Sequence, residues 1–148
     1  MGSTHYKILV VDDEEQIRKL IATLLSQKGH QCLTANNARE ALDKMMETRV
    51  DALITDVVMP EMDGITLAEE LSKDYKNLPV MIMTGHANEN SAETAFTSGA
   101  REFIKKPFSI SEFLIRLDKM MRDHRGEEEL LALSLIDELT GLYNRRRF

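Results

Sequence analysis

From Tyr6 to about residue 124, short apolar runs alternate with stretches of helical period, and that alternation leaves few folds open. Ile8-Leu9-Val10-Val11 is apolar without a break, as a parallel strand covered on both faces would be. Ile17, Leu20, Ile21, Leu24 and Leu25 then recur at helical spacing until Gly29 supplies a stop. Cys32 to Ala35 reads as a weaker strand, followed by a helix opening at Asn37 with Ala38, Ala41, Leu42 and Met45 on one face. Ala52 to Thr55 predicts a third strand, and Leu67, Ala68 and Leu71 a helix after Gly64. Pro79 to Met83 predicts a fourth strand, with a softer helix behind it whose apolar face is only Ala92, Ala95 and Phe96. Phe103-Ile104 predicts a short fifth strand, and after Lys106-Pro107 a last helix that Ser109 and Glu112 are placed to cap reciprocally. The expected fold is therefore α/β, a doubly wound parallel sheet with right-handed crossovers and helices on both faces.

A chain of 148 residues suffices for one compact domain and is too short for two. Lys and Arg number 19 against 25 Asp and Glu, a net charge of −6, which argues against a nucleic-acid partner. The apolar runs fall far short of a bilayer span and no signal-peptide core precedes them, so no membrane partner and a cytoplasmic location are expected. A lone Cys32 excludes an internal disulfide, and His5, His30, His86 and His124 lie too far apart for a zinc module.

In open parallel sheets, ligands bind beyond the carboxyl ends of the strands, so the residues that close each strand carry the functional reading. Those are Asp12 and Asp13 after the first strand, Asp56 after the third, Thr84 after the fourth and Lys106 after the fifth. Three carboxylates at one edge repel one another unless a cation joins them. Mg²⁺, with Mn²⁺ able to replace it, is the natural cation, since it takes a few carboxylates and completes its shell with water and phosphoryl oxygen. Lys106 adds a positive charge and Thr84 a hydroxyl donor for the oxygens of a phosphoryl group. Asp56 stands alone at its strand end and is assigned as the nucleophile, with the adjacent Asp12 and Asp13 bracketing the metal. Singly, each of these residues has a structural use as a cap or turn residue; their coincidence at four strand ends favours the functional reading.

The segment Asp56-Val57-Val58-Met59-Pro60-Glu61-Met62-Asp63-Gly64 resembles the phosphoacceptor loop of response regulator receiver domains. Val10-Val11-Asp12-Asp13-Glu14 resembles that family's acidic-pair strand, and Lys106-Pro107-Phe108 its lysine-proline turn. The resemblance covers residues 6–124 and implies a flavodoxin-like (CheY-like) five-stranded sheet of order 2-1-3-4-5. It implies phosphoryl transfer to Asp56 from a histidine kinase or phosphotransfer protein, Val58 as a ligand to the metal through its backbone carbonyl, and a cis peptide before Pro107. It further implies a switch in which Thr84 moves toward the phosphoryl group and Phe103 turns inward. Phe103 stands where many members carry Tyr, so the switch is expected to run on packing without a phenolic hydroxyl. Val58, two residues past Asp56, is apolar and cannot orient a water, so slow autodephosphorylation is expected and the chain is otherwise no enzyme.

Residues 1–5 read as a tag-like, disordered start, with Met1-Gly2-Ser3 in the manner of an expression remnant. The apolar period of the last helix continues past Gly126, so 125–136 reads as a helical linker with its register broken near that glycine. Asp137-Glu138-Leu139-Thr140-Gly141-Leu142-Tyr143-Asn144-Arg145-Arg146 resembles the opening segment of GGDEF domains, the diguanylate cyclase module, and makes 137–148 a truncated start of one. The implied partners are this chain's own GGDEF domain, forming cyclic di-GMP, and a second copy in a homodimer formed on phosphorylation. A haloacid dehalogenase-type phosphatase is the competing enzyme reading, but its general-acid Asp would stand where Val58 does. A flavodoxin-like cofactor binder is disfavoured because Asp12-Asp13-Glu14-Glu15 would repel a phosphate and no Gly-rich cradle is present.

Overall fold

The computed structural model describes residues 5–85 and 99–143. Five strands, β1 (Lys7–Val11), β2 (Gln31–Ala35), β3 (Ala52–Asp56), β4 (Val80–Thr84) and β5 (Glu102–Lys105), form one parallel sheet of order β2-β1-β3-β4-β5. Helices α1 (Glu15–Gln27), α2 (Ala38–Glu47), α3 (Gly64–Asp74) and α4 (Ile110–Tyr143) cover it. The softer helix expected after β4, with Ala92, Ala95 and Phe96, lies outside the described residues, as do residues 1–4 and 144–148.

Successive side chains of a strand face opposite ways, and the two cores follow that period of two. Leu9, Val11, Leu53 and Ile82 bury one face of the sheet with α2 and α3, through Ala41, Met45, Leu67 and Leu71. Ile8, Val10, Ile54, Met81 and Ile104 bury the other with α1 and α4, through Ile21, Leu25, Phe113 and Leu117. Each such fully buried aliphatic side chain contributes about 1.5–3 kcal/mol of transfer free energy, which is why the continuous apolar runs could only be interior strands.

The helix ends follow their local chemistry. Asn37 Oδ1 accepts from the Glu40 N–H at 2.8 Å and Asp63 Oδ1 from the Thr66 N–H at 2.7 Å, capping α2 and α3. α1 stops where Gly29 takes φ 87°, and the His30 N–H turns back to the Leu25 carbonyl at 3.0 Å. The reciprocal cap expected at α4 forms by half. Ser109 Oγ accepts from the Glu112 N–H at 3.0 Å, whereas the Glu112 carboxylate pairs instead with Arg116 Nε at 3.2 Å. Gly126 does not break α4, which runs through it without interruption, because a single glycine costs a helix only about 1 kcal/mol.

β5 is an edge strand, and Glu102, paired with Arg116 and more distantly with Lys119, closes its outer side. Arg116 Nη1 donates to Glu102 Oε1 at 2.9 Å and to the Phe103 carbonyl at 3.0 Å, while the Phe103 N–H donates to Glu102 Oε1 at 3.2 Å. Glu102 is buried there, its charge matched by Arg116.

Candidate functional site

The carboxyl ends of β1 and β3 lie side by side in the sheet, with Val11 opposite Thr55, so the residues closing those strands are neighbours. The carboxylates of Asp12, Asp13 and Asp56 approach so that one oxygen from each lies within 4.8 Å of the others. Asp12 is wholly buried and Asp56 nearly so, whereas Asp13 stands at the surface. Lys106 arrives from beyond β5 and bridges two of the three, its Nζ lying 3.1 Å from Asp12 Oδ2 and 3.3 Å from Asp56 Oδ2. Its backbone N–H donates to the Thr84 carbonyl at 2.7 Å, which ties the ends of β4 and β5 together, and the Lys106-Pro107 peptide is cis.

Thr84 is buried at the end of β4, Phe103 is half-buried on the face packed with α2 and α3, and Val58 is 62% exposed. The acidic cluster thus draws on Asp12, Asp13, Asp56 and Lys106, with Val58 open to solvent beside it. Asp56 Oδ1 accepts from the Val57 N–H at 2.9 Å, which fixes the carboxylate against its own strand end.

Burial is the largest influence on Asp56 and raises its pKa above the ordinary carboxylate value; Lys106 opposes the rise and Asp12 adds to it. For Lys106, burial pulls the ammonium down, but its hydrogen bonds and charge contacts with Asp12 and Asp56 outweigh that and leave it above the usual lysine value. A carboxylate whose folded pKa is raised favours the fold below its ordinary value, and that contribution is lost as pH rises through the folded value. At neutral pH the ionised Asp56 therefore costs stability. Asp56→Asn is expected to melt above wild type at neutral pH in metal-free buffer, with the gap closing as pH falls through the carboxylate range. Equal melting temperatures at every pH would contradict this.

The loop after Asp56 is shaped by two constraints. The Met62 N–H bonds back to the Pro60 carbonyl at 2.8 Å, a γ-turn centred on Glu61 at φ 68°, a strained conformation for a residue with a Cβ. Gly64 then opens α3 directly against β3, where an added Cβ would lie 1.9 Å from the Asp56 carbonyl oxygen.

Among the described residues the donor set fits a hard divalent cation: three carboxylates, with no sulfur or imidazole in the group, close enough for one ion to gather. Asp12, Asp13 and Asp56 are the side chains that would hold it.

The sequence profile of the family described as Response regulator receiver domain matches residues 8–118. The chain belongs to that family. This receiver is 35% identical over 116 residues to the transcriptional regulatory protein SrrA of Staphylococcus aureus, across 78% of this chain and 48% of SrrA. It therefore spans about half the length of the curated relatives it matches. NtrX from Brucella abortus, solved in complex with ADP, superposes with a TM-score of 0.84 at 32% identity, over 88% of this receiver and 30% of NtrX. The beryllofluoride-activated NtrC4 receiver domain dimer superposes with a TM-score of 0.76 at 33% identity, over 80% of this receiver and 98% of that chain. Among the described residues, no helix of the receiver is long and apolar enough to cross a membrane.

Arg18 was not among the residues singled out by sequence. Its Nη1 donates to the Asp12 carbonyl at 2.7 Å, although in sequence it is one more cation on the polar side of an amphipathic helix.

Proposed function

We propose that this receiver of a two-component response regulator accepts a phosphoryl group on Asp56 from a histidine kinase or phosphotransfer protein, in a Mg²⁺-dependent reaction in the cytoplasm. The observation that carries this reading is the single Lys106 ammonium bridging the two buried carboxylates of Asp12 and Asp56, with Asp13 at the rim. A bound Mg²⁺ supplies charge neutralisation for phosphoryl oxygens. A carboxylate oxygen of Asp56 attacks phosphorus; the new P–O bond forms as the P–N bond to the kinase imidazole breaks, its electron pair goes to that nitrogen, and the imidazole leaves neutral with the proton already on its other ring nitrogen. The Val57 N–H holds the other carboxylate oxygen in place. Lys106 gives up its contact with Asp56 to follow the incoming negative charge, and the Thr84 hydroxyl donates to a phosphoryl oxygen. Thr84 moving toward that oxygen leaves room that Phe103 fills, so the switch runs on packing.

Incubation with Mg²⁺ and acetyl phosphate should add one phosphoryl group to the wild type and none to Asp56→Asn. Rapid turnover of small phosphate esters would favour a phosphatase instead.

Val58 is open to the solvent that would deliver an attacking water and has no polar atom on its side chain to orient one. Slow hydrolysis of the acyl phosphate follows. Val58→Asn is expected to speed its decay on the order of tenfold by positioning that water, read as loss of label from purified phosphoprotein; an unchanged lifetime would place the limit elsewhere.

For the output, the run from Asp137 to Arg146 supports a GGDEF diguanylate cyclase, with α4 as the connecting helix. SrrA, a transcriptional regulatory protein, supports a second reading in which the output acts on transcription. Cyclic di-GMP formation from GTP by the longer protein separates them. The NtrC4 receiver dimer supports homodimer formation on phosphorylation, which the size of this chain with and without beryllofluoride tests.

A further inference from the structure

Asp12 has every polar atom in use. Its N–H donates to the Ala35 carbonyl at 3.2 Å, Oδ1 accepts from the Glu14 N–H at 2.9 Å, Oδ2 accepts from Lys106 at 3.1 Å, and its carbonyl accepts from Arg18 Nη1 at 2.7 Å. The first three contacts fix the strand end and the Asp12 carboxylate. Among the described residues, the fourth alone grips the peptide that joins Asp12 to Asp13.

That peptide decides where the exposed Asp13 points. Its plane is set by rotation about the Asp12 Cα–C bond, and a carbonyl held by a guanidinium cannot turn freely. Arg18 is also badly placed for helix electrostatics, since a cation in the opening turns of α1 faces the positive end of the helix dipole. Glu14, the N-cap, makes no side-chain cap bond there, and the acidic charge in the first turn comes from Glu15, so Arg18 is the residue at this end that opposes the dipole.

We propose that Arg18 is a positioning residue for the cation site: by holding the Asp12 carbonyl it orients the Asp12-Asp13 peptide and brings the Asp13 carboxylate to Asp12 and Asp56. This rests on the divalent-cation reading above. Its sign separates it from plain electrostatics. A cation that merely sits near three carboxylates repels a metal ion, so its removal strengthens binding, whereas removal of a positioning group weakens it.

The test is calorimetric titration of Mg²⁺ into the 148-residue chain, wild type against Arg18→Met and Arg18→Lys, at low and at about 0.15 M salt. Arg18→Met keeps the stem and loses the donor, and is expected to bind Mg²⁺ about tenfold more weakly at both salt concentrations. Arg18→Lys keeps a charge and a donor and should recover part of the loss; it also serves if Arg18→Met does not fold. Unchanged or tighter binding by Arg18→Met, or by Arg18→Lys in its place, overturns the inference. Absence of Mg²⁺ binding by the wild type overturns the cation reading beneath it.

Discussion

Gly64→Ala is expected to lose about 3 kcal/mol of stability and most of its capacity to take up a phosphoryl group. The reason is contact with backbone rather than with a yielding side chain. The added methyl would lie 1.9 Å from the Asp56 carbonyl oxygen, 2.8 Å from its carbon and 3.1 Å from Thr55 Oγ1. β3 is the middle strand, paired on both sides, and cannot retreat. α3 must therefore move away, which strains the Gly64 N–H bond to the Val57 carbonyl at 2.8 Å and, through Val57, the hydrogen bond that orients Asp56. Gly126→Ala is the control: nothing lies within 4 Å of the added Cβ, the position is inside α4, and a gain of about 1 kcal/mol is expected from helix propensity. Urea melts of the two variants should shift in opposite directions. A Gly64→Ala protein as stable and as readily phosphorylated as wild type would mean that α3 does not abut Asp56.

Lys106→Met is expected to cut phosphoryl uptake about a hundredfold, the size of effect seen when one preorganised donor to a developing charge is removed. It should also destabilise the metal-free protein, because the wholly buried Asp12 loses its cation and Asp56 its bridge. Mg²⁺ affinity should move the other way. The ammonium occupies Oδ2 of both Asp12 and Asp56, so its removal frees donors and takes away a repelling charge. The stabilisation by Mg²⁺ in a thermal melt should consequently be larger for Lys106→Met than for wild type. Equal uptake by the variant, or a smaller Mg²⁺ shift, would contradict the bridging role.

The fold was legible because parallel strands buried on both faces must be apolar throughout, and such runs as Ile8 to Val11 and Val80 to Met83 have few other uses. The acidic cluster was legible for a related reason: Asp12 and Asp56 break those runs abruptly at their carboxyl ends, where polar residues need a purpose. What escaped the sequence is long-range or conformational. Glu102 and Arg116 are unremarkable charges until β5 and α4 are side by side, and Arg18 reads as surface until its Nη1 is found on the Asp12 carbonyl. The positive φ of Glu61 gave no compositional signal, since a Gly or Asn there would have been the clue. Gly126 interrupts the apolar register in sequence without interrupting the helix, because glycine only weakens a helix and the turns on either side carry it through.

The central claim is that Asp56, among three neighbouring carboxylates, is the one that carries the phosphoryl group. Borohydride reduces an acyl phosphate to an alcohol and leaves free carboxylates untouched, so treatment after acetyl phosphate and Mg²⁺ should convert residue 56, and only that residue, to homoserine in the peptide map. Conversion at Asp12 or Asp13, or the same conversion without acetyl phosphate, would contradict the assignment.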